Sequence, residues 1–226
     1  MTIEDYNDVL EQLSTCEISD AMDKLGIACK WLTKNLVSKR GAKFWGVADT
    51  VMWSPTRKGQ NIRAPSPSTW EEVASFISGI EKRNGQQVYV AGCRQISTDF
   101  ALVGGLSLNY FEMNKYSAAL MFGAVRDIDE LDQLTFPIWY SNVSPLDSQG
   151  CMVVTERKTG CYFNGHFVNQ GDVIFGDRNG AVALPPDSLG VIVETALGIH
   201  MVESLMMEKV RAGADLYMLI AEGGHI

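Results

Sequence analysis

The chain has 226 residues, 46% of them hydrophobic and 20% charged, which supplies a sizeable core and excludes a disordered tail or a disulfide miniprotein. Nineteen Lys and Arg against 27 Asp and Glu leave a formal charge of −8, a balance that argues against a binder tracking nucleic-acid phosphates. The length suits one domain over residues 1–226.

Residues 2–13 read as a helix, acidic and amphipathic, without the basic start and apolar centre of a signal peptide. Ser14 followed three residues later by Glu17 is a capping-box signature for a second helix. Its apolar positions Ile18, Met22 and Leu25 have helical spacing, and Gly26 can end it. Residues 46–53 read as a strand. A loop over 54–68 follows, with Pro55, Pro65, Pro67 and Gly59 and the cations Arg57, Lys58 and Arg63. These could meet an acidic substrate or form a solvated face. Residues 69–80 read as a helix capped by Ser68, with Glu71 at the third position.

The informative unit begins at Gln87. Residues 87–91 read as a strand, 92–104 as a loop, 105–116 as a helix and 118–125 as a second apolar strand. That βαβ pattern predicts parallel strands joined by a crossover. The loop leaving the first strand and the residues ending the second then share one sheet edge, where ligands of α/β proteins collect. The loop brings Gly104 and Gly105 to a helix N-terminus, where unpaired N–H groups and the helix dipole favour an anion. The second strand ends in Arg126-Asp127, a guanidinium suited to bidentate carboxylate recognition and a carboxylate suited to a hard divalent cation. The other reading of the pair is a local ion pair capping a helix over 127–131.

After Pro137 the chain turns β-rich, with short strands predicted at 138–143, 151–155, 160–163, 173–175 and 181–184. Asn164-Gly165, Gln170-Gly171-Asp172 and Asn179-Gly180 supply the turns, and Asp172 and Asp177 read as turn formers. Pro185-Pro186 opens a final helix running to about Arg211. Glu203 falls within about 40° of Ile192, Ile199 and Val210 on its wheel, while Val193, Leu197, Met201 and Leu205 form a second stripe opposite. A helix apolar on two sides needs two partners, one of which could be another subunit. Glu203 then either reaches a site at that interface or snorkels to water.

Cys16, Cys29, Cys93, Cys151 and Cys161 are odd in number and form no CxxC pair, which points to a reducing, cytoplasmic compartment. His166, His200 and His225 fall at no metal spacing. The longest continuous apolar tract, 118–125, is far below the ~20 residues of a membrane helix, so no membrane span is expected.

V-Y-V-A-G-C from Val88, L-V-G-G-L from Leu102 and A-A-L-M-F-G-A-V-R-D-I-D-E-L from Ala118 resemble the RraA-like family, which holds the regulator of ribonuclease activity A and metal-dependent aldolases of 4-hydroxy-4-methyl-2-oxoglutarate and 4-carboxy-4-hydroxy-2-oxoadipate. Twenty residues separate Gly105 from Arg126, and Glu130 follows Asp127 after two more, as in the family's G-x20-R-D-x2-E pattern. Further echoes are I-S-D-A-M-D-K-L-G from Ile18, G-V-A-D-T-V from Gly46, S-P-L-D-S-Q-G from Ser144, G-D-V-I-F-G-D-R-N-G-A-V-A-L-P from Gly171 and D-L-Y from Asp215. Residues 53–86 match poorly and are placed to set specificity.

The resemblance implies an α/β fold, a layered α/β/β/α domain of the swivelling β/β/α kind with a C-terminal helix, assembled as a homotrimer or hexamer. It implies a lyase on small 2-oxo acids, acting by aldol cleavage or by decarboxylation of oxaloacetate, with Mg²⁺ or Mn²⁺ as cofactor. Gly104, Gly105, Leu106 and Arg126 would bind the substrate and Asp127 the metal. Arg126, Asp127 and a neighbouring subunit's Glu203 would form the catalytic set. The aldolases carry an aspartate where Gly105 stands, so the resemblance implies an intact metal site with altered proton machinery. The alternative it carries is a non-catalytic regulatory binding protein of the ribonuclease-regulator type. No nucleic-acid or membrane partner is expected.

Overall fold

A computed structural model describes residues 3–56, 69–80 and 86–221. In chain order, a 3-10 turn (Ile3–Tyr6) leads into α1 (Asn7–Leu10) and α2 (Thr15–Lys24). β1 (Lys30–Trp31), β2 (Val37–Lys39) and β3 (Phe44–Pro55) follow, then α3 (Thr69–Ile77), β4 (Gln87–Cys93), β5 (Ser97–Val103) and α4 (Gly105–Met113). The chain continues through β6 (Tyr116–Met121), β7 (Gly123–Val125), α5 (Ile128–Leu131), β8 (Ile138–Tyr140) and β9 (Asn142–Val143). It closes with β10 (Met152–Arg157), β11 (Gly160–Phe163), β12 (His166–Asn169), β13 (Val173–Asp177), β14 (Gly180–Leu184), α6 (Leu189–Arg211) and α7 (Leu216–Ala221). The chain divides into two compact units, residues 30–186 and the pairing of 1–29 with 187–226.

In the larger unit, β1, β14, β13, β3, β4, β6, β8 and β2 lie side by side, with β10 also on β3. The centre is parallel: β3 pairs with β4 (Asp49 opposite Tyr89), β4 with β6 (Tyr89 opposite Ala119) and β6 with β8. The predicted crossover is thus present, with α4 as its helix. These strands are near-continuous apolar runs because both faces are covered, as parallel sheets require; Val88, Tyr89, Val90, Ala91 and Leu120 are all fully buried.

Three sequence expectations are corrected here. The loop over 92–104 contains a strand, β5. The run 118–125 is two strands, β6 in the large sheet and β7 in a separate parallel sheet of order β5-β7-β9. Residues 138–143 split likewise into β8 and β9. Apolar content alone reads as one strand where the chain steps between sheets, and the step falls at Phe122, whose N–H donates to the Ala91 carbonyl at 2.8 Å. The basic loop with Arg57, Lys58 and Arg63, and the Ser68 cap, lie outside the described residues.

A charged cluster is buried in the core. Asp49 on β3 is 1% exposed. Arg157 donates through Nη1 to its Oδ1 and through Nη2 to its Oδ2 at 2.7 Å, and the Tyr116 hydroxyl donates to Oδ2 at 2.5 Å. Tyr89 stacks on Phe111 at 4.2 Å beside them. Burial first, and then the Asp49 carboxylate, push the Tyr116 phenol far above its usual range, so it stays a donor. Cys93 is a packed thiol, its Sγ 2.7 Å from the Gln95 carbonyl oxygen and 3.0 Å from that of Phe122, so that its one proton can go to either. Asn164 (φ 49°) and Gly165 (φ 83°) make the tight turn joining β11 to β12. Asp177 serves its turn as expected, accepting from the Asn179 N–H at 2.7 Å.

In the smaller unit the capping box is present: Ser14 Oγ accepts from the Glu17 N–H at 3.3 Å and the Ser14 N–H donates to Glu17 Oε2 at 2.6 Å. Glu17 Oε1 lies 2.6 Å from His200 Nδ1 on α6, tying the two helices together. Gly26 ends α2 with φ 69°. The N-terminal helix is shorter than expected, a 3-10 turn plus one helical turn. It closes at Leu10 through tight i→i+3 bonds from Gln12 and Leu13. On α6, Ile192, Val193, Ala196 and Ile199 are buried, while Met201, Val202, Leu205 and Met207 are exposed, as are Leu216, Tyr217, Met218 and Ile220 on α7. By length and composition Pro186–Arg211 would suffice to cross a membrane, contrary to the expectation of no span drawn from unbroken apolar runs. A core helix meets the same criterion, and the inner face of α6 packs on α2.

Candidate functional site

The site is built on the small parallel sheet. β5 delivers the chain to Gly104 and Gly105 at the start of α4, and the neighbouring β7 ends at Arg126-Asp127. The Arg126 N–H donates to the Val103 carbonyl at 3.3 Å, fixing the two strand ends side by side. Asp127 adopts a left-handed backbone (φ 64°, ψ 53°), a conformation aspartate tolerates better than most residues. This turns its carboxylate away from the helix that follows and toward the helix behind. Oδ2 accepts the Gly105 N–H at 3.0 Å, while the side chain makes no cap on α5. Asp127 therefore caps α4 and not the helix it opens, which corrects the expected cap over 127–131.

Gly104 and Gly105 are small for a steric reason. A Cβ on Gly104 would strike Asp127 Oδ2, and one on Gly105 would lie 2.7 Å from the Cβ of Glu130. Gly105 does not need a positive φ; it needs room for α5. Leu106 follows, 65% exposed. Its amide and that of Ser107 open the helix, where no intrahelical acceptor exists.

Arg126 stands between two carboxylates. Its Nε lies 3.7 Å from Asp127 Oδ2 and its Nη1 lies 3.4 Å from Asp147 Oδ2, with the three side chains 38%, 42% and 31% exposed. Asp147 was not singled out from sequence. It arrives because residue 147 bridges Ala101 of β5 in parallel fashion, and because Ser144 Oγ donates to the Asp99 carbonyl at 2.5 Å and accepts the Leu146 N–H at 3.1 Å. Asp147 Oδ1 in turn accepts the Gln149 N–H. The available signal was the segment S-P-L-D-S-Q-G, which carries Asp147 without marking its direction.

A cavity of about 50 Å³ opens beside Arg126. Gly104, Ser107, Asp147 and Ser148 are among its lining residues, together with Glu72, Val73 and Phe76 of α3. The structure therefore brings together Gly104, Gly105, Arg126 and Asp127, and adds Asp147 and α3. Glu203 lies half-buried on α6 of the other unit.

The donor chemistry suits a hydrated divalent cation. Asp127 Oδ1 has no protein partner among the described residues. No three His, Cys, Asp or Glu side chains among them converge to enclose an ion. A cation here would be held by one or two carboxylates and keep several waters, the habit of Mg²⁺.

A family model described as RraA-like, Aldolase/RraA, matches residues 15–183. The chain is 26% identical over 211 residues to protein DlpA of Legionella pneumophila, covering 92% of this chain and 32% of that protein. It is 34% identical over 82 residues to a putative 4-hydroxy-4-methyl-2-oxoglutarate aldolase of Halorhodospira halophila, covering 36% of this chain and 49% of that one. It thus spans between about a third and about half the length of these curated relatives. RraAS2 of Streptomyces coelicolor, described as an unusual member of the RNase ES inhibitor RraA protein family, has a similar fold: TM-score 0.71, 20% identity, 88% of this chain and 95% of that one.

Proposed function

Because the chain belongs to the RraA-like family, we propose that it is a divalent-metal-dependent lyase acting on small 2-oxo acids. The observation that supports this reading is the convergence of Arg126, Asp127 and the amide end of α4 on one edge, with the Gly105 N–H 3.0 Å from Asp127 Oδ2. Asp127, through its outward Oδ1 and bridging water, would hold Mg²⁺ or Mn²⁺. The bound cation would supply a Lewis acid for a developing enolate oxygen.

Arg126 binds the substrate carboxylate, and a bidentate approach displaces the weak contacts it makes with Asp127 and Asp147. The amides of Gly105 and Leu106 orient an anionic oxygen against the helix N-terminus. In aldol cleavage the C3–C4 bond breaks, its electron pair becomes the enolate of pyruvate, the C4 hydroxyl proton leaves to a base, and C3 then takes a proton. In decarboxylation the bond from C3 to the carboxylate breaks, CO₂ leaves, and the same enolate is protonated by water. Only the first route needs a base for the hydroxyl. With glycine at position 105, this chain favours the second or recruits another carboxylate.

The exposed apolar faces of α6 and α7 support assembly into a trimer or hexamer, with Glu203 of one copy serving a neighbour's site. Five free cysteines suit a reducing cytoplasm. Coupled detection of pyruvate, from oxaloacetate and from branched 4-hydroxy-2-oxo acids, tests the reading. Release should require Mg²⁺ or Mn²⁺ and stop with a chelator; no release from either class with either metal would refute it. A second reading, a regulatory binding protein, draws on the net charge of −8 and the fold shared with an RNase ES inhibitor relative. Metal-dependent turnover separates the two.

A further inference from the structure

Asp147 stands where an incoming carboxylate has to go. Its Oδ2 lies 3.4 Å from Arg126 Nη1, longer than the ~2.8 Å of a strong charge-assisted bond, so the pair is loose. A substrate carboxylate that closes a bidentate fork on the guanidinium takes Nη1 and displaces Asp147 Oδ2 from it.

The displaced carboxylate is still held at the site. Its Oδ1 accepts the Gln149 N–H, residue 147 bridges Ala101 of β5, and the Leu146 carbonyl accepts the Ala101 N–H at 2.8 Å. Asp147 therefore stays on the rim of the cavity of about 50 Å³, with Oδ2 released toward whatever Arg126 has bound. The neighbouring carboxylates are committed elsewhere. Asp127 Oδ2 caps α4 through the Gly105 N–H at 3.0 Å, and Glu72, which also lines the cavity, is engaged by another group.

A base for aldol cleavage has to come within hydrogen-bond reach of the substrate hydroxyl once the substrate is seated. We infer that Asp147 is that base, and that the substrate's own carboxylate frees it by displacing it from Arg126. This deepens the lyase reading and rests on it for the seating of the substrate on Arg126. The C4 hydroxyl proton passes to Asp147 Oδ2, and the O–H electron pair completes the C4 carbonyl. The C3–C4 bond breaks with its pair going to the enolate of pyruvate. Asp147 then returns the proton to C3, which completes pyruvate and regenerates the carboxylate. Decarboxylation of oxaloacetate has no hydroxyl to deprotonate and does not call on Asp147 in this way.

Asp147 thus has two effects of opposite sign: its charge competes with the substrate for Arg126, and its oxygen drives cleavage. The full chain with Mg²⁺ is compared as wild type, Asp147→Asn and Asp147→Ser, the serine keeping a short oxygen for the Gln149 N–H. Pyruvate is titrated by calorimetry. Pyruvate release is followed from 4-hydroxy-4-methyl-2-oxoglutarate and from oxaloacetate, less the rate with Mg²⁺ alone. Pyruvate should bind Asp147→Asn about threefold tighter, the worth of a partly exposed ion pair. The kcat for aldol cleavage should fall about 10²-fold or more, and by at least about tenfold more than that for decarboxylation. Asp147→Glu, which keeps a carboxylate, should retain more aldol turnover than either.

Aldol turnover within about threefold of wild type in both Asp147→Asn and Asp147→Ser overturns the proposal, since a general base contributes far more. Pyruvate binding that weakens together with turnover also overturns it, because that is the result of a merely structural role. Wild type that decarboxylates oxaloacetate but cleaves no 4-hydroxy-2-oxo acid overturns it without any variant, and leaves the lyase reading standing. Release of pyruvate from neither class overturns both.

Discussion

Replacing Asp49 with asparagine keeps the shape of the side chain and removes its charge from a site that water barely reaches. In the wild type that carboxylate is 1% exposed and holds three donors, two from the Arg157 guanidinium and one from the Tyr116 hydroxyl. The variant leaves a guanidinium, 13% exposed, without its counter-ion. Breaking a buried pair from one side costs roughly 3–5 kcal/mol, and the slight exposure of Arg157 argues for the lower half. At about 2–4 °C per kcal/mol for a chain of this size, the midpoint should fall by roughly 6–16 °C. Urea unfolding followed by circular dichroism measures the free energy directly. The double variant Asp49→Leu with Arg157→Met replaces the pair with apolar bulk and should recover most of the loss, giving a coupling energy above about 1 kcal/mol. An Asp49→Asn protein within about 1 kcal/mol of wild type, or a double variant no better than the single, would refute the assignment of this pair as a buried brace joining β3 to β10, with Tyr116 of β6.

Asp127→Ala should abolish metal-stimulated pyruvate release while lowering stability by only about 0.5–2 kcal/mol, the cost of removing a helix cap, read by kinetics and thermal melting of one preparation. Ser14→Ala removes the acceptor of the Glu17 N–H and should cost about 1 kcal/mol in urea unfolding; the Glu17–His200 contact should survive, visible in the histidine ring signals by NMR. Light scattering should return a multiple of 24.9 kDa, and charged residues at Met201 and Leu205 together should shift the population toward smaller species. A stable wild-type monomer would contradict that expectation.

The parallel unit was legible because its strands are apolar on both faces and its helix opens on a glycine pair. The adjacency of Arg126 and Asp127 made the pair conspicuous. The capping box at Ser14 was equally readable, since it is written within four residues. What stayed hidden depends on the path of the chain in space. Asp49 and Arg157 lie 108 positions apart, and nothing local marks them as partners. β5 was lost because its alternation of Ser97, Asp99 and Ala101 with Thr98, Phe100 and Leu102 sits behind a glycine and an arginine that read as loop. Asp147 was lost for a related reason: a loop residue is aimed by the strand it bridges, and that strand had not been recognised.

The step at Phe122 carries a consequence for how such a protein can change over time. Residues 118–121 belong to the broad sheet, whose burial holds the molecule together, whereas Arg126 and Asp127 hang from a separate three-stranded raft joined to it through the single residues Phe122 and Ser141 and the short link between β4 and β5. Replacements in β9, whose two residues are exposed, and in the 144–149 loop can therefore redraw the reactive edge without reopening the main core, to which Leu102 and Val103 of β5 belong. The large sheet is free to drift only within the limits of packing. A fold arranged this way separates the residues answerable for staying folded from those answerable for chemistry, so that one lineage can yield catalysts and non-catalytic binders from the same frame.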